Sequence, residues 1–188
     1  MKGVVFTEFL ELVEIKFGMQ MVDDIITASD LESGGAYTAV GTYKFGEMVS
    51  LLTQLSNRTQ LSIDDLLYTY AQHFFTVIKS SYPGFLESYS DPIEMLSSIE
   101  DHIHVEVLKI YPDAQLPTFK TLEKSENTLT LDYLSSRAMY SFGLGLMHET
   151  FKFFNIDFNI RLEKLKEDGT HVRFFIERKN GYSKSRSL

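Results

Sequence analysis

The stretch Tyr133-Leu134-Ser135-Ser136-Arg137 decides how the rest of this chain is read. Three side chains suited to anions alternate along it. In an extended segment Tyr133, Ser135 and Arg137 would point to one side, because successive side chains of a strand face opposite ways. A guanidinium fork with two hydroxyls beside it suits a carboxylate or phosphate that must be held in one orientation. Upstream, His104 lies on an otherwise apolar helix face, where an imidazole can bond a metal. A ligand with carboxylates at one edge and a metal at its centre would satisfy both features, and haem is built that way.

Working outward from this stretch, helices come first and strands later, an α/β chain of the α+β kind. Phe6, Phe9, Leu10, Val13 and Phe17 recur at helical spacing, which predicts an amphipathic N-terminal helix. A second helix is predicted over Met19–Ile26, a loop at Gly34-Gly35, and a third helix on Met48, Leu51, Leu52 and Leu55. Ser62 with Asp65 resembles a capping box and starts a helix to about Lys79, closed by Ser81-Tyr82-Pro83-Gly84. Asp91-Pro92 supplies an N-cap and first-turn proline for a helix to about Ile110. Beyond Pro112 the period changes to two, predicting strands over 118–124 and 128–133 about a turn at Ser125-Glu126-Asn127. Helical spacing returns over 138–154, followed by strands over about 158–166 and 170–178 around Glu167-Asp168-Gly169. The Ser- and basic-rich residues 181–188 read as a disordered tail.

Composition narrows the function classes. The 188 residues, 44% of them hydrophobic, suit one domain able to enclose a pocket. A net charge of −8 disfavours nucleic acid as a partner, since backbone phosphates would be repelled. With no cysteine, disulfides, thiolate catalysis, cysteine zinc sites, Fe–S clusters and thiolate-ligated haem are excluded. The opening residues meet acidic side chains too early for a signal peptide, and no apolar run is long enough to span a bilayer. The expectation is a cytoplasmic protein without membrane insertion. Asn57-Arg58-Thr59 matches a glycosylation acceptor and carries little weight in that setting.

Five histidines compete for the role of ligand. His102 and His104 lie about 200° apart around one helix and cannot bind one metal together. His104 falls beside Val107 and Leu108 at the edge of the stripe Leu96, Ile99, Ile103, Val107, Ile110 and is expected to face inward, whereas His102 faces water. His73 flanks the stripe of its helix, His148 lies opposite Phe142 and Leu146, and His171 opens a strand. From spacing alone, His104 reads as a hydrogen-bonded histidine at a core edge, and the Tyr133, Ser135, Arg137 triple as strand-end surface. Their combination points to a ligand.

The sequence resembles the haem nitric oxide/oxygen binding (H-NOX) domains, related to the sensor domain of soluble guanylate cyclase. The resemblance covers nearly the whole chain. It is carried by Met1-Lys2-Gly3, His104, Leu116-Pro117, the Tyr-x-Ser-x-Arg pattern at Tyr133, Ser135 and Arg137, and Met139-Tyr140-Ser141-Phe142-Gly143-Leu144-Gly145-Leu146. It implies one domain over 1–180, with a helical lobe over about 1–60 and a haem-ligating lobe with an antiparallel sheet over about 61–180. Carried over by position, it implies haem b (iron protoporphyrin IX) with His104 as proximal iron ligand. Tyr133, Ser135 and Arg137 would hold the propionates, and Pro117 would press on the porphyrin. The distal wall would come from the N-terminal helix and the 138–154 helix.

In oxygen-binding members a distal tyrosine donates a hydrogen bond to dioxygen, and the position aligned with it here is Phe142. The other distal residues, Val5, Phe9, Phe74 and Leu146, also lack a donor, and Tyr140 should point elsewhere. The expectation is a sensor of nitric oxide, with carbon monoxide as a further ligand, that excludes dioxygen. Nitric oxide would weaken the Fe–His104 bond, and the lobes would then rotate to signal to a separate histidine kinase or diguanylate cyclase. The chain reads as a sensor rather than an enzyme. Adjacent carboxylates such as Asp64-Asp65 and Glu100-Asp101 diverge on helices and read as solvated faces, and Gly143-Leu144-Gly145 marks close packing. A haem-free ligand or protein-interaction module with the same fold is the alternative.

Overall fold

Phe6, Phe9, Leu12 and Val13 recur three and four apart along α1 (Gly3–Phe17) and are buried, the outcome that apolar helical spacing predicts. Phe17, expected on the same stripe, instead ends the helix 41% exposed. Gly18 takes φ 85° there and turns the chain into α2 (Met19–Ala28). The structure, a computed structural model, describes residues 1–179; the tail expected to be disordered lies outside the described residues.

After a loop in which Gly34 and Gly35 adopt positive φ come α3 (Phe45–Thr59) and α4 (Ile63–Ser81). Ser62 caps α4 as predicted: its Oγ accepts the Asp65 N–H at 3.1 Å and donates to Asp65 Oδ2 at 2.6 Å. Met48, Leu51, Leu52 and Leu55 of α3 pack with Val22 and Ile25 of α2, with α1, and with Leu66, Leu67 and Tyr70 of α4. This first core therefore reaches past residue 60 into α4.

A short α5 (Pro83–Glu87) occupies the place where only a helix end was expected. Asp91 then caps α6 (Pro92–Ser97) through the N–H groups of Ile93 and Glu94, at 2.8 and 3.1 Å. The single helix expected to run on to Ile110 is broken. A π-helical turn covers Ile99–Ile103, and α7 (His104–Ile110) follows it. The Ser98 carbonyl accepts from both His102 N and Ile103 N, at 2.9 and 3.2 Å, which admits an extra residue to the turn. Ser98 Oγ also bonds the Met95 carbonyl and the Tyr89 hydroxyl, competing with regular helix geometry. As a result the predicted stripe does not run through to the end: Ile110, its last member, is exposed, as is Leu108 at its edge.

The four strands are β1 (Thr118–Lys124), β2 (Thr128–Leu134), β3 (Phe158–Lys164) and β4 (His171–Arg178). They form one antiparallel sheet in the order β1-β2-β4-β3. The Ser125-Glu126-Asn127 turn is as expected, with Ser125 Oγ accepting from Asn127 N and Thr128 N. Leu129, Leu131, Tyr133, Val172, Phe174 and Ile176 make one buried face against Ile93 and Leu96 of α6 and Met147 and Phe151 of α8 (Tyr140–Phe153). On the other face Asp132 pairs with Arg173 at 2.6 and 2.9 Å and with His171 at 3.0 Å.

The helix expected from Ala138 starts at Tyr140, because Ala138 has φ 49°. Along α8 a Cβ on Gly145 would lie 2.5 Å from Ala71 Cβ and 2.8 Å from the Tyr68 carbonyl oxygen. Glycine thus lets α8 lie directly on α4, the close packing read from the sequence.

Candidate functional site

Proline and capping chemistry position the first group of candidate residues. The π turn ends at His104, and its placement brings Glu100 and His104 onto one side. His104 Nδ1 lies 3.1 Å from Glu100 Oε1, and the ring is tilted 55° against Phe119, centroids 6.0 Å apart. The same Glu100 oxygen accepts the Phe119 N–H at 2.6 Å. One carboxylate therefore ties the imidazole to the start of β1, two residues past half-buried Pro117. The expectation that Glu100 is a solvated carboxylate is corrected. Burial pulls the His104 pKa below its ordinary value, with Glu100 opposing, so the neutral imidazole that metals bind is favoured. Among the described residues no hydrogen-bond partner reaches Nε2. A ligating histidine commonly has its second nitrogen bonded to a carboxylate, which fixes the tautomer and the ring orientation.

The Tyr133–Arg137 stretch is partly a strand and partly a turn. β2 ends at Leu134, and Ser135 N donates to the Thr170 carbonyl at 3.0 Å. The strict alternation over Tyr133, Ser135 and Arg137 is therefore corrected, because only Tyr133 lies in the strand. Tyr133 is buried, its hydroxyl accepts the Met139 N–H at 2.9 Å, and burial raises its pKa. Ser135 Oγ accepts the Arg137 N–H at 3.2 Å.

The Arg137 fork donates to both oxygens of Gln115, the carbonyl at 2.9 Å and Oε1 at 2.7 Å, and stacks over Phe45 at 5.5 Å. Two sp² oxygens on one fork reproduce the pairing a carboxylate makes with arginine. Arg137 also lines a cleft of about 380 Å³ with Lys44, Phe45, Gln115 and Ser136. Lys44, Phe45 and Gln115 were missed by sequence reasoning; they lie distant in sequence and share no pattern.

The second group is aromatic. Phe142 lies 5.1 Å from Tyr70 and 5.6 Å from Phe74 between ring centroids, and Phe9 lies 5.5 Å from Tyr70. Val5 joins the same cluster, whereas Leu146 packs elsewhere, with Phe75, Leu86, Met95 and Ile103. Tyr70 was not among the sequence candidates for this wall. It is fully buried, and its hydroxyl donates to the Val5 carbonyl at 2.7 Å. Tyr140 points away as expected, its hydroxyl on the Asp64 carboxylate, which Ser141 Oγ also reaches at 2.8 Å. Asp64 is thus a bonded acceptor and not a merely solvated one.

The remaining histidines have other partners. His148 Nδ1 meets the Tyr68 hydroxyl at 2.6 Å, His73 meets Glu8 at 3.3 Å, and His102 meets the Tyr89 hydroxyl.

The chain matches the family described as Haem-NO-binding over residues 2–162. It belongs to the H-NOX family. A crystal structure of Fe(II) unliganded H-NOX from K. algicida is 63% identical over 97% of this chain and 99% of that one, with a TM-score of 0.95. The IWP-051-bound H-NOX of Shewanella woodyi in the Fe(II)CO state is 32% identical over the full length of both chains, TM-score 0.81. An S. oneidensis H-NOX in the Fe(II)NO state is 23% identical, covering 96% of this chain and all of that one. Its TM-score of 0.87 shows the shared fold. No curated protein matches.

H-NOX domains bind haem and act as gas sensors. The donor set found here fits such a group: an imidazole whose Nδ1 is already engaged, and a guanidinium fork already paired with two oxygens. Among the described residues no helix is long and apolar enough to cross a membrane.

Proposed function

We propose that this H-NOX chain is a cytoplasmic sensor of nitric oxide that uses haem b and excludes dioxygen. His104 Nε2 would be the iron ligand, with Glu100 orienting the ring. Tyr133, Ser135 and Arg137 would hold the propionates, Arg137 exchanging its Gln115 partners for a carboxylate. Pro117 would bear on the porphyrin, and Val5, Phe9, Phe74 and Phe142 would form the distal wall, with Leu146, which packs in a separate cluster, at its margin. The observation that carries this reading is the Glu100–His104 contact, which leaves one imidazole nitrogen for a metal.

Haem, held by His104 and by Tyr133, Ser135 and Arg137, would supply the ferrous iron that binds nitric oxide, and His104 would be the ligand whose bond responds. The chain supplies the rest. His104 opens α7 directly after an irregular turn, so a released His104 side chain would leave a short helix held at that end by few contacts. The helical lobe of about residues 1–60, packed on α4 through the first core, would then shift on that helix relative to the haem-ligating lobe of about 61–180. That is a two-state element biased by one ligand. Selectivity follows from donors: the Tyr70 hydroxyl is committed to Val5, and Phe142 has none. The proposed output is a separate histidine kinase or diguanylate cyclase.

The deciding experiment is the absorption spectrum of the purified ferrous protein under nitrogen, air and nitric oxide. A haem spectrum that shifts with nitric oxide and is unmoved by air is expected. A stable oxygenated spectrum would overturn the selectivity. A colourless protein that takes up no added haem would leave a haem-free interaction module.

A further inference from the structure

Away from the haem-directed residues, α1 and α4 bring three potential metal ligands together. Glu8 and Glu11, three apart on α1, place carboxylate oxygens within 4.8 Å of each other and of a His73 ring nitrogen on α4. His73 Nε2 and Glu8 Oε2 are 3.3 Å apart, and both side chains are largely shielded from solvent. That spacing is the edge of a tetrahedron with metal–ligand bonds of about 2.0–2.1 Å, the lengths zinc makes to imidazole and carboxylate.

A bonded His–Glu pair bridging two helices would account for two of these residues, but not for the third. Like charges three apart on a helix repel. Among the described residues neither Glu8 nor Glu11 has a lysine or arginine partner. Lys16 and Lys79, the basic residues of the last turns of these two helices, form no ion pair with them. A divalent cation would neutralise both carboxylates at once.

We infer that Glu8, Glu11 and His73 form a binding site for a divalent transition-metal ion such as zinc, with positions left for water, that clamps α1 to α4. The imidazole sets the class. Magnesium and calcium take oxygen ligands, whereas one nitrogen and two carboxylates suit zinc and its neighbours in the first transition series. Glu11, the exposed member, would close onto an ion held by Glu8 and His73.

The test is a Zn²⁺ titration of the untagged, full-length, haem-loaded protein against a chromophoric chelator, with thermal unfolding in parallel. One equivalent of tightly bound Zn²⁺ and a rise in Tm are expected, with Mg²⁺ giving neither. Glu11→Gln and His73→Gln should each weaken Zn²⁺ binding at least about tenfold, the loss that even outer-shell substitutions produce. Glu11→Gln alters an exposed side chain and should melt like the wild type without metal, so its failure to bind would not be a failure to fold. Equal Zn²⁺ binding by both variants would place the ion on other histidines and overturn the site. Equal competition by Mg²⁺ would remove the imidazole from it, and the absence of a one-equivalent phase would end the proposal.

Discussion

Around His104 a few atoms are joined by directional bonds: Glu100 holds the imidazole and the Phe119 amide, and Arg137 holds both Gln115 oxygens. Around Phe142 rings of Phe74 and Tyr70 meet at 5.1–5.6 Å, and the one hydroxyl among them is turned to a backbone carbonyl. The first region is specified by chemistry at named atoms, the second by shape. Substitutions should fail differently in the two. In the first, the effect should depend on which atom is lost: removing the His104 ring nitrogen ends the tie, and changing its Glu100 partner only weakens it. In the second, adding one atom creates a function or breaks the packing.

The largest effect is expected from His104→Gly. The pocket would still accept haem, but α7 would have lost its tie to it. Hydrogen exchange of the α7 amides should rise on nitric oxide addition in the wild type. In the variant it should already be high and should no longer respond. A variant whose α7 still responds to nitric oxide would show that the tie lies elsewhere and would blur the contrast between the regions.

Next comes Phe142→Tyr, which adds a donor to the dry wall. Hydrogen bonds to charged or strongly polarised groups are worth about 1.5–3 kcal/mol, so the variant should hold dioxygen about 10–100-fold more tightly and show under air an oxygenated spectrum that the wild type lacks. Stopped-flow absorption after mixing with air reads this directly. Tyr70→Phe is the companion. It should cost about 1 kcal/mol of stability for the lost bond to Val5 and leave gas selectivity unmoved. If Tyr70→Phe altered dioxygen binding, the wall would not be as dry as the geometry indicates.

Much of this was legible in the sequence, and the failures have physical causes. Helical and strand periods located α1 to α4, α8, β2, β3 and β4 because each carries an apolar face, whereas β1, exposed except at Phe119, was marked by alternation and by the turn that follows it. The helix after Asp91 broke the rule: nothing in its apolar spacing signals that Ser98 will accept two amides and open a π turn. His104 and Arg137 were singled out by their combination and not by spacing alone, and Phe142 by its position in the family resemblance. Glu100 was visible four residues before His104, yet adjacent acids on a helix read as solvated until the fold brings the Phe119 amide to them. Lys44, Phe45 and Gln115 gather around Arg137 only in three dimensions. Tyr70 reads as a core aromatic from its spacing; its hydroxyl bond to Val5 links α4 to α1 and leaves no local trace.

Gly145→Ala tests the dependence on shape. A single methyl group would lie 2.5 Å from Ala71 Cβ and 2.8 Å from the Tyr68 carbonyl, and a backbone atom cannot rotate aside. The α8 and α4 helices would have to separate, at about 1–3 kcal/mol for overpacking. Urea unfolding should show a lowered midpoint with little change in slope. Gly143→Ala, whose Cβ would meet only Phe119 at an ordinary 3.7 Å, should be tolerated. Similar effects at both positions, such as the gain in helix propensity that alanine brings at either, would mean that the α4–α8 contact does not govern this face.

The smallest effect is expected from Glu100→Gln, and it separates two roles of one residue. Glutamine keeps an oxygen for the Phe119 amide, so the attachment of β1 should survive and stability should scarcely change. What disappears is the negative charge beside His104 Nδ1. A carboxylate partner makes a ligating imidazole more basic, so the neutral amide should weaken the metal bond without abolishing it. Resonance Raman of the ferrous unliganded protein should show the iron–histidine stretch at lower frequency, with the haem retained. Glu100→Ala removes both contacts and should lower stability as well. If Glu100→Gln and Glu100→Ala gave the same stretch and the same stability as the wild type, Glu100 would be a bystander. The proximal region would then rest on packing around His104 and Phe119, as the distal region rests on packing around Phe142.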